Sequence, residues 1–216
     1  MTGSTRIAIV PTAPALLPRY AGLRDPLPEL RTACLDAVSW LVTGDRDEEV
    51  VVLCPMTAAG NAEGTVGASR GPAVAEYLLA AAGHRGGYEL VVLGRRSALP
   101  DLAGRAVLTL AHGTARRSEG SSGHVDGQVR VFDEAIDTAL RAGDLAALGN
   151  LDPDLGADLL AEGTPVLRAL GAWVARVDSA EVTFDGDPFG VQYWVARLLC
   201  ASRAPRPAPP TACPHG

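Results

Sequence analysis

The chain predicts an α/β fold with a mostly parallel central sheet flanked by helices. Two short apolar runs, Arg6 to Val10 and Val50 to Leu53, each lead through a proline into a loop, as buried strands do. Between and after them lie segments with helical spacing of apolar residues, and the order alternates strand, loop, helix, strand. Loops at strand ends are where such a sheet places its chemistry. The first of these loops brings Thr12 and the second brings Met56, so both residues are expected at one edge of the sheet.

Taken in order, Arg6 to Val10 is the first strand. Pro11, Pro14 and Pro18 keep the following segment extended and out of helix, with Leu16 and Leu17 packing it down. Pro28 suits a first helical turn; Leu30, Ala33, Cys34, Ala37, Val38 and Leu41 then recur at helical spacing. Gly44 to Glu49 is a polar turn before the central strand. Thr57 to Arg70, rich in Gly, Ala, Ser and Thr, is a loop beside the expected site, and reads equally as a lid or as a plain surface excursion. Gly71-Pro72 opens a helix that Gly83 stops, with His84 in the turn beyond. Tyr88 to Leu93 and Arg105 to Ala111 are two further strands, the second running into His112-Gly113. Arg116 to Asp126 is a polar loop containing His124, and Val129 to Ala142 is a helix ended by Gly143. Asp144 caps a short helix. Asp152-Pro153 starts another, closed by Glu162-Gly163, and Thr164-Pro165 caps the next. Glu181 to Phe184 is an edge or return strand, and Phe189 to Cys200 a last helix-like apolar segment. One domain is expected over residues 1–202, followed by a proline-rich tail, 203–216, with five prolines and the composition of disorder.

Composition narrows the function classes. The 216 residues are 47% apolar with few aromatics, enough for a sizeable core built from Ala, Val and Leu. All 19 basic residues are Arg, which excludes Schiff-base and lysine-nucleophile chemistry. Net charge is −6 with no basic run, so neither nucleic acid nor an anionic membrane surface is an expected partner. Cys34, Cys54, Cys200 and Cys213 are widely spread without a C-x-x-C pair, which fits a reduced cytoplasmic setting better than a zinc or disulfide framework. No signal-peptide pattern and no apolar run of membrane-spanning length are read in the chain.

Several stretches share one family's order and spacing. They are Ile9-Val10-Pro11-Thr12-Ala13-Pro14-Ala15-Leu16-Leu17-Pro18, Val51-Val52-Leu53-Cys54-Pro55-Met56, Leu110 to Arg117, Phe132 to Ile136, Leu145 to Asp154, and Pro188-Phe189-Gly190-Val191. On these the chain resembles the class III extradiol dioxygenase superfamily of LigB-like proteins, which includes the Memo-like proteins, over most of residues 6–199. The resemblance implies the LigB-like fold and, in active members, a non-haem Fe(II) held by a Pro-His-x-Pro histidine, a Ser-Pro-His histidine and a later carboxylate. Such a facial triad leaves positions open for a catechol and O₂. Carried over residue by residue, Thr12 and Met56 stand at the two histidine positions, and Ala115 falls on or next to a proton-transferring histidine. Glu162 alone matches the late ligand.

Three readings stay open. In the first, the protein has lost the iron site and serves as a binding or partner protein, with no cofactor and with a small aromatic or carboxylate molecule as candidate ligand. In the second, it is an oxygenase whose Fe(II) is held differently, by His112 and Glu162. In the third, it is a metal-independent enzyme working through Cys54 and His112, which calls for a thiol of lowered pKa. The pocket candidates are Thr12, Cys54, Met56, Thr114, Arg116 and Glu162, with His112 as the catalytic candidate. Arg116-Arg117 is read as a carboxylate or phosphate site or as solvated loop charge. The resemblance also implies dimers or larger assemblies, with Phe189 to Cys200 as candidate contact.

Overall fold

The six strands among the described residues join one sheet in the order β3-β2-β4-β1-β6-β5. The computed structural model describes residues 3–20, 25–44, 46–56, 70–95, 97, 99–117, 123–173 and 176–201, the side chains of 123–126 excepted. The strands are β1 (Thr5–Val10), β2 (Val50–Pro55), β3 (Tyr88–Leu93), β4 (Ala106–Leu110), β5 (Val177–Gly186) and β6 (Tyr193–Cys200). β1, β2, β3 and β4 run parallel, while β6 is antiparallel to both β1 and β5. The protein is therefore α/β with a mostly parallel, mixed sheet.

Helices cover both faces. Successive strand residues point to opposite sides, so Ala8, Val10, Val52, Cys54, Leu108 and Leu110 meet α1 (Pro28–Leu41) and α2 (Arg70–Ala81). Ile7, Ile9, Val51, Leu53 and Val107 meet α3 (Gly123–Ala142), α4 (Leu145–Gly149) and α6 (Thr164–Trp173) on the other face. With both faces covered, the central strands read as continuous apolar runs rather than as an alternation. Two of the three expected side-chain caps form; the third, Thr164, is instead the first residue of α6 and donates its hydroxyl to Ala161 C=O at 2.7 Å. The Asp144 side chain accepts from Ala147 N–H, and that of Asp152 accepts from the N–H groups of Asp154 and Leu155 at the start of α5 (Pro153–Asp158).

Five local expectations are corrected. The proline-rich segment after β1 is not extended throughout: Pro14–Leu16 and Pro18–Tyr20 are single 3₁₀ turns, since proline's fixed φ also suits a first helical turn. Helix α3 begins at Gly123, not near Val129, because Val125 already continues the spacing of Val129 and Phe132. Helix α5 ends at Asp158, before Glu162-Gly163. Leu160 takes a left-handed φ of 56°, Leu160 N–H donates to Ala157 C=O and Ala161 N–H to Gly156 C=O. That is a Schellman stop with leucine where glycine is usual, so the sequence carries no mark of it. β5 runs the full length Val177–Gly186, well beyond Glu181 to Phe184. Most consequentially, the segment expected as a last helix is β6, inserted between β1 and β5 with six of its eight residues buried. A short apolar run buried on both faces carries neither period. That burial also removes Tyr193 to Cys200 as an oligomer contact, leaving Phe189 exposed beside it. Residues 57–69 of the expected lid, residues 118–122 of the expected polar loop and the whole expected tail, 203–216, lie outside the described residues.

Candidate active-site crevice

The parallel topology decides where a ligand would sit. The chain leaves β1 toward α1 on one face and leaves β4, its neighbour, toward α3 on the other. Adjacent strands whose connections depart to opposite faces leave a crevice outside their carboxyl ends. Thr12 follows β1 and His112 follows β4, so these two residues flank it. Met56 follows β2 at the same end, one strand further out, with β4 between β1 and β2.

His112 is the centre of this edge and is 8% exposed. Its Nδ1 lies 2.9 Å from Gly113 C=O, so Nδ1–H donates there and fixes the ring. Nε2 faces Glu162 Oε2 at 3.7 Å, an ion-pair separation longer than a hydrogen bond. The Tyr193 ring stands edge-on to the imidazole, with centroids 6.3 Å apart. Facing His112 holds the Glu162 carboxyl below the usual range; burial opposes this, and the Arg70 charge at the start of α2 assists it. Glu162 remains half-exposed. The turn that carries it fits against the β4 end only because residue 163 is glycine. A Cβ there would lie 2.6 Å from His112 O and 2.7 Å from His112 N. The imidazole Nε2 and the carboxylate thus stand side by side at the edge of the crevice, one nitrogen and one carboxylate open to a ligand.

Behind His112 a buried clamp holds the loop. Asp133 of α3 is 1% exposed and accepts three hydrogen bonds: from Thr114 N–H at 3.0 Å, from Thr114 Oγ1 at 2.7 Å and from Arg117 Nε at 2.8 Å. Arg117 also reaches Asp187 at 3.2 Å. Gly113 leaves room for the clamp, since a Cβ there would meet Asp133 Oδ1 at 2.5 Å and the Trp194 ring at 2.7 Å. Backbone bonds Gly113 N–H to Gln192 C=O and Gln192 N–H to Thr114 C=O splice the same loop to the start of β6.

The candidate residues divide accordingly. His112, Glu162 and Thr12 belong to the crevice edge. Thr114 is fully buried, with its hydroxyl and N–H both given to Asp133, so it positions the loop instead of lining a pocket. Arg116 is exposed and already has a partner, while Arg117 is held by two carboxylates of this chain. The pair therefore does not offer a free double guanidinium. Met56 is 64% exposed, and its sulfur rests near Gly94 beyond the end of β3, where an added methyl would lie 3.8 Å away. Cys54 is wholly buried, and burial alone pushes its thiol up to about 12. The expectation of a lowered thiol pKa is thereby reversed.

Sequence reasoning missed Asp133 and Tyr193. The signal for Asp133 was available: it stands four residues after Val129 and three before Ile136, a carboxylate on an apolar stripe. Tyr193 carried no signal once its segment was read as helix. Among the described residues no three His, Cys, Asp or Glu side chains converge on a common point suited to a metal. His112 Nε2 and Glu162 are two donors, and Thr12 and Met56 add only a hydroxyl and an exposed thioether. This set does not fit a ferrous ion.

No protein-family model matches the chain, and no curated protein does either. Among the described residues no helix is long and apolar enough to cross a membrane.

Proposed function

We propose that this is a LigB-like protein that has relinquished the iron-dependent ring-cleavage reaction and keeps the crevice as a binding site for a small aromatic or carboxylate ligand. One observation carries the reading. Where the family resemblance calls for two imidazoles, the chain has Thr12 and Met56, and the Met56 thioether lies out past β3. A hydroxyl and a soft thioether do not hold Fe(II) against water. The order of strands supports the same crevice, because it lies at a point where ligands collect in open α/β sheets. Within it the His112–Glu162 pair offers an imidazole and a carboxylate to a bound molecule, with Tyr193 as an apolar backing. The buried, unreactive Cys54 counts against a Cys–His enzyme in the same place.

The test is an anaerobic titration of the purified full chain with Fe(II), followed by elemental analysis. The native protein should retain no stoichiometric iron, and Thr12→His/Met56→His together should gain ferrous affinity. A tight equivalent of iron in the native protein, lost in His112→Ala, would overturn the reading in favour of an oxygenase with rearranged ligands.

A further inference from the structure

On the flank of the sheet, away from the crevice, a cleft of about 480 Å³ opens between α1 and the β5–β6 pair. That volume lies within the range of small-molecule sites, about 300–1,000 Å³. One wall is the exposed face of α1, with Glu29, Thr32 and Asp36; the other is the sheet, with Thr183 and Arg197. Arg197 belongs to the same face of β6 as Tyr193 and Val195 and stands in register with Glu181 of β5.

The guanidinium of Arg197 is underused. Its ion-pair partner is Glu181 Oε2, 3.9 Å from Nη1, and that carboxylate is itself 65% exposed. Its Nε is buried and has no hydrogen-bond partner, so it carries a desolvation cost that no bond offsets. Opposite it, Glu29 and Asp36 lie two helical turns apart on one face, about 10.5 Å along the axis. Both are exposed, and neither is taken up by a partner among the described residues.

These charges select a ligand class. A simple anion would meet three carboxylates, Glu29, Asp36 and Glu181, for one guanidinium. A simple cation would leave the guanidinium donors unmet. A molecule with a carboxylate at one end and cationic groups beyond it satisfies both walls. We infer that this cleft binds a zwitterion of the amino-acid class, its carboxylate on Arg197 and its cationic groups on Glu29 and Asp36, with a basic side chain preferred. The Arg197 side chain is only partly covered, at 24% exposure. A rotation within the cleft brings Nε and one Nη to the two carboxylate oxygens as a fork. The methylene stem of the ligand then lies against Ala33.

The experiment titrates the full chain at low salt with L-lysine, butyrate and butylamine, followed by calorimetry and by chemical-shift changes. L-Lysine should saturate at a millimolar or tighter dissociation constant, and each half-ligand should bind about tenfold more weakly or worse, as expected from the loss of one ion-paired end. Arg197→Gln should abolish binding and Asp36→Asn should weaken it several-fold. Asp36 is exposed on a helix, so its variant keeps the fold; if Arg197→Gln does not fold, Asp36→Asn and Glu29→Gln decide. Failure of L-lysine to saturate, half-ligands that bind equally well, or Asp36→Asn and Glu29→Gln that both bind as the native chain does would each overturn the proposal.

Discussion

Asp133→Ala is the perturbation that most directly probes how the crevice is held. The carboxylate is buried and accepts from Thr114 N–H, Thr114 Oγ1 and Arg117 Nε. Truncation leaves two fully buried donors on Thr114 without an acceptor, each costing about 1–3 kcal/mol. Arg117 loses less, because it keeps Asp187 and is part-exposed. The sum, about 2–6 kcal/mol, brackets the roughly 3–5 kcal/mol typical of removing one partner from a buried charged contact. A loss of about 4 kcal/mol is therefore expected, read as a lower urea midpoint with an unchanged slope. Asp133→Asn keeps one acceptor and should cost about half as much. In a double-mutant cycle with Thr114→Val, the two changes should couple by about 0.5–3 kcal/mol, as contacting residues do. A loss below about 1 kcal/mol, within the range of ordinary surface changes, or strict additivity with Thr114→Val, would refute the clamp.

Two other predictions concern titrating groups. The Glu162 carboxyl is held below its ordinary 4.5 by His112. Its contact therefore contributes stability above that ordinary value, and the contribution fades as pH falls through the depressed one. His112→Asn should return the Glu162 midpoint toward 4.5 in a carboxyl-resolved NMR titration; an unmoved midpoint would show that the pair does not interact. For Cys54, with its thiol pushed up to about 12, iodoacetamide at mildly alkaline pH should leave the native protein unlabelled there and modify it only after unfolding in urea. Labelling of folded protein at the unfolded rate would contradict the burial described.

The clearest lesson about legibility lies in α5 and β6. Helix α5 announces its start with Asp152-Pro153, a cap and a first-turn proline whose chemistry is local. Its end is set by Leu160, held left-handed by the turn that follows, and a leucine gives no local warning of that. β6 is a sharper case, because Tyr193 to Cys200, Arg197 apart, is apolar on both faces. Only the presence of β1 on one side and β5 on the other makes it a strand. The same holds for the candidate site: His112 and Glu162 were already read together from the sequence, but the 3.7 Å approach between them depends on Gly163 allowing a turn to rest on the end of β4.

By itself the sequence determined the α/β class, the buried strands β1, β2 and β4, the capped helix starts at Asp144 and Asp152, and the residues standing after β1, β2 and β4. These depend on hydrophobic period, proline and side-chain chemistry within a few residues, all of which act along the chain. Tertiary structure alone decided that β4 lies between β1 and β2, that β6 enters the sheet antiparallel, that Asp133 reaches Thr114, and that Cys54 is sealed from water. Each of these rests on contacts between residues far apart in the chain, whose partners no local pattern specifies.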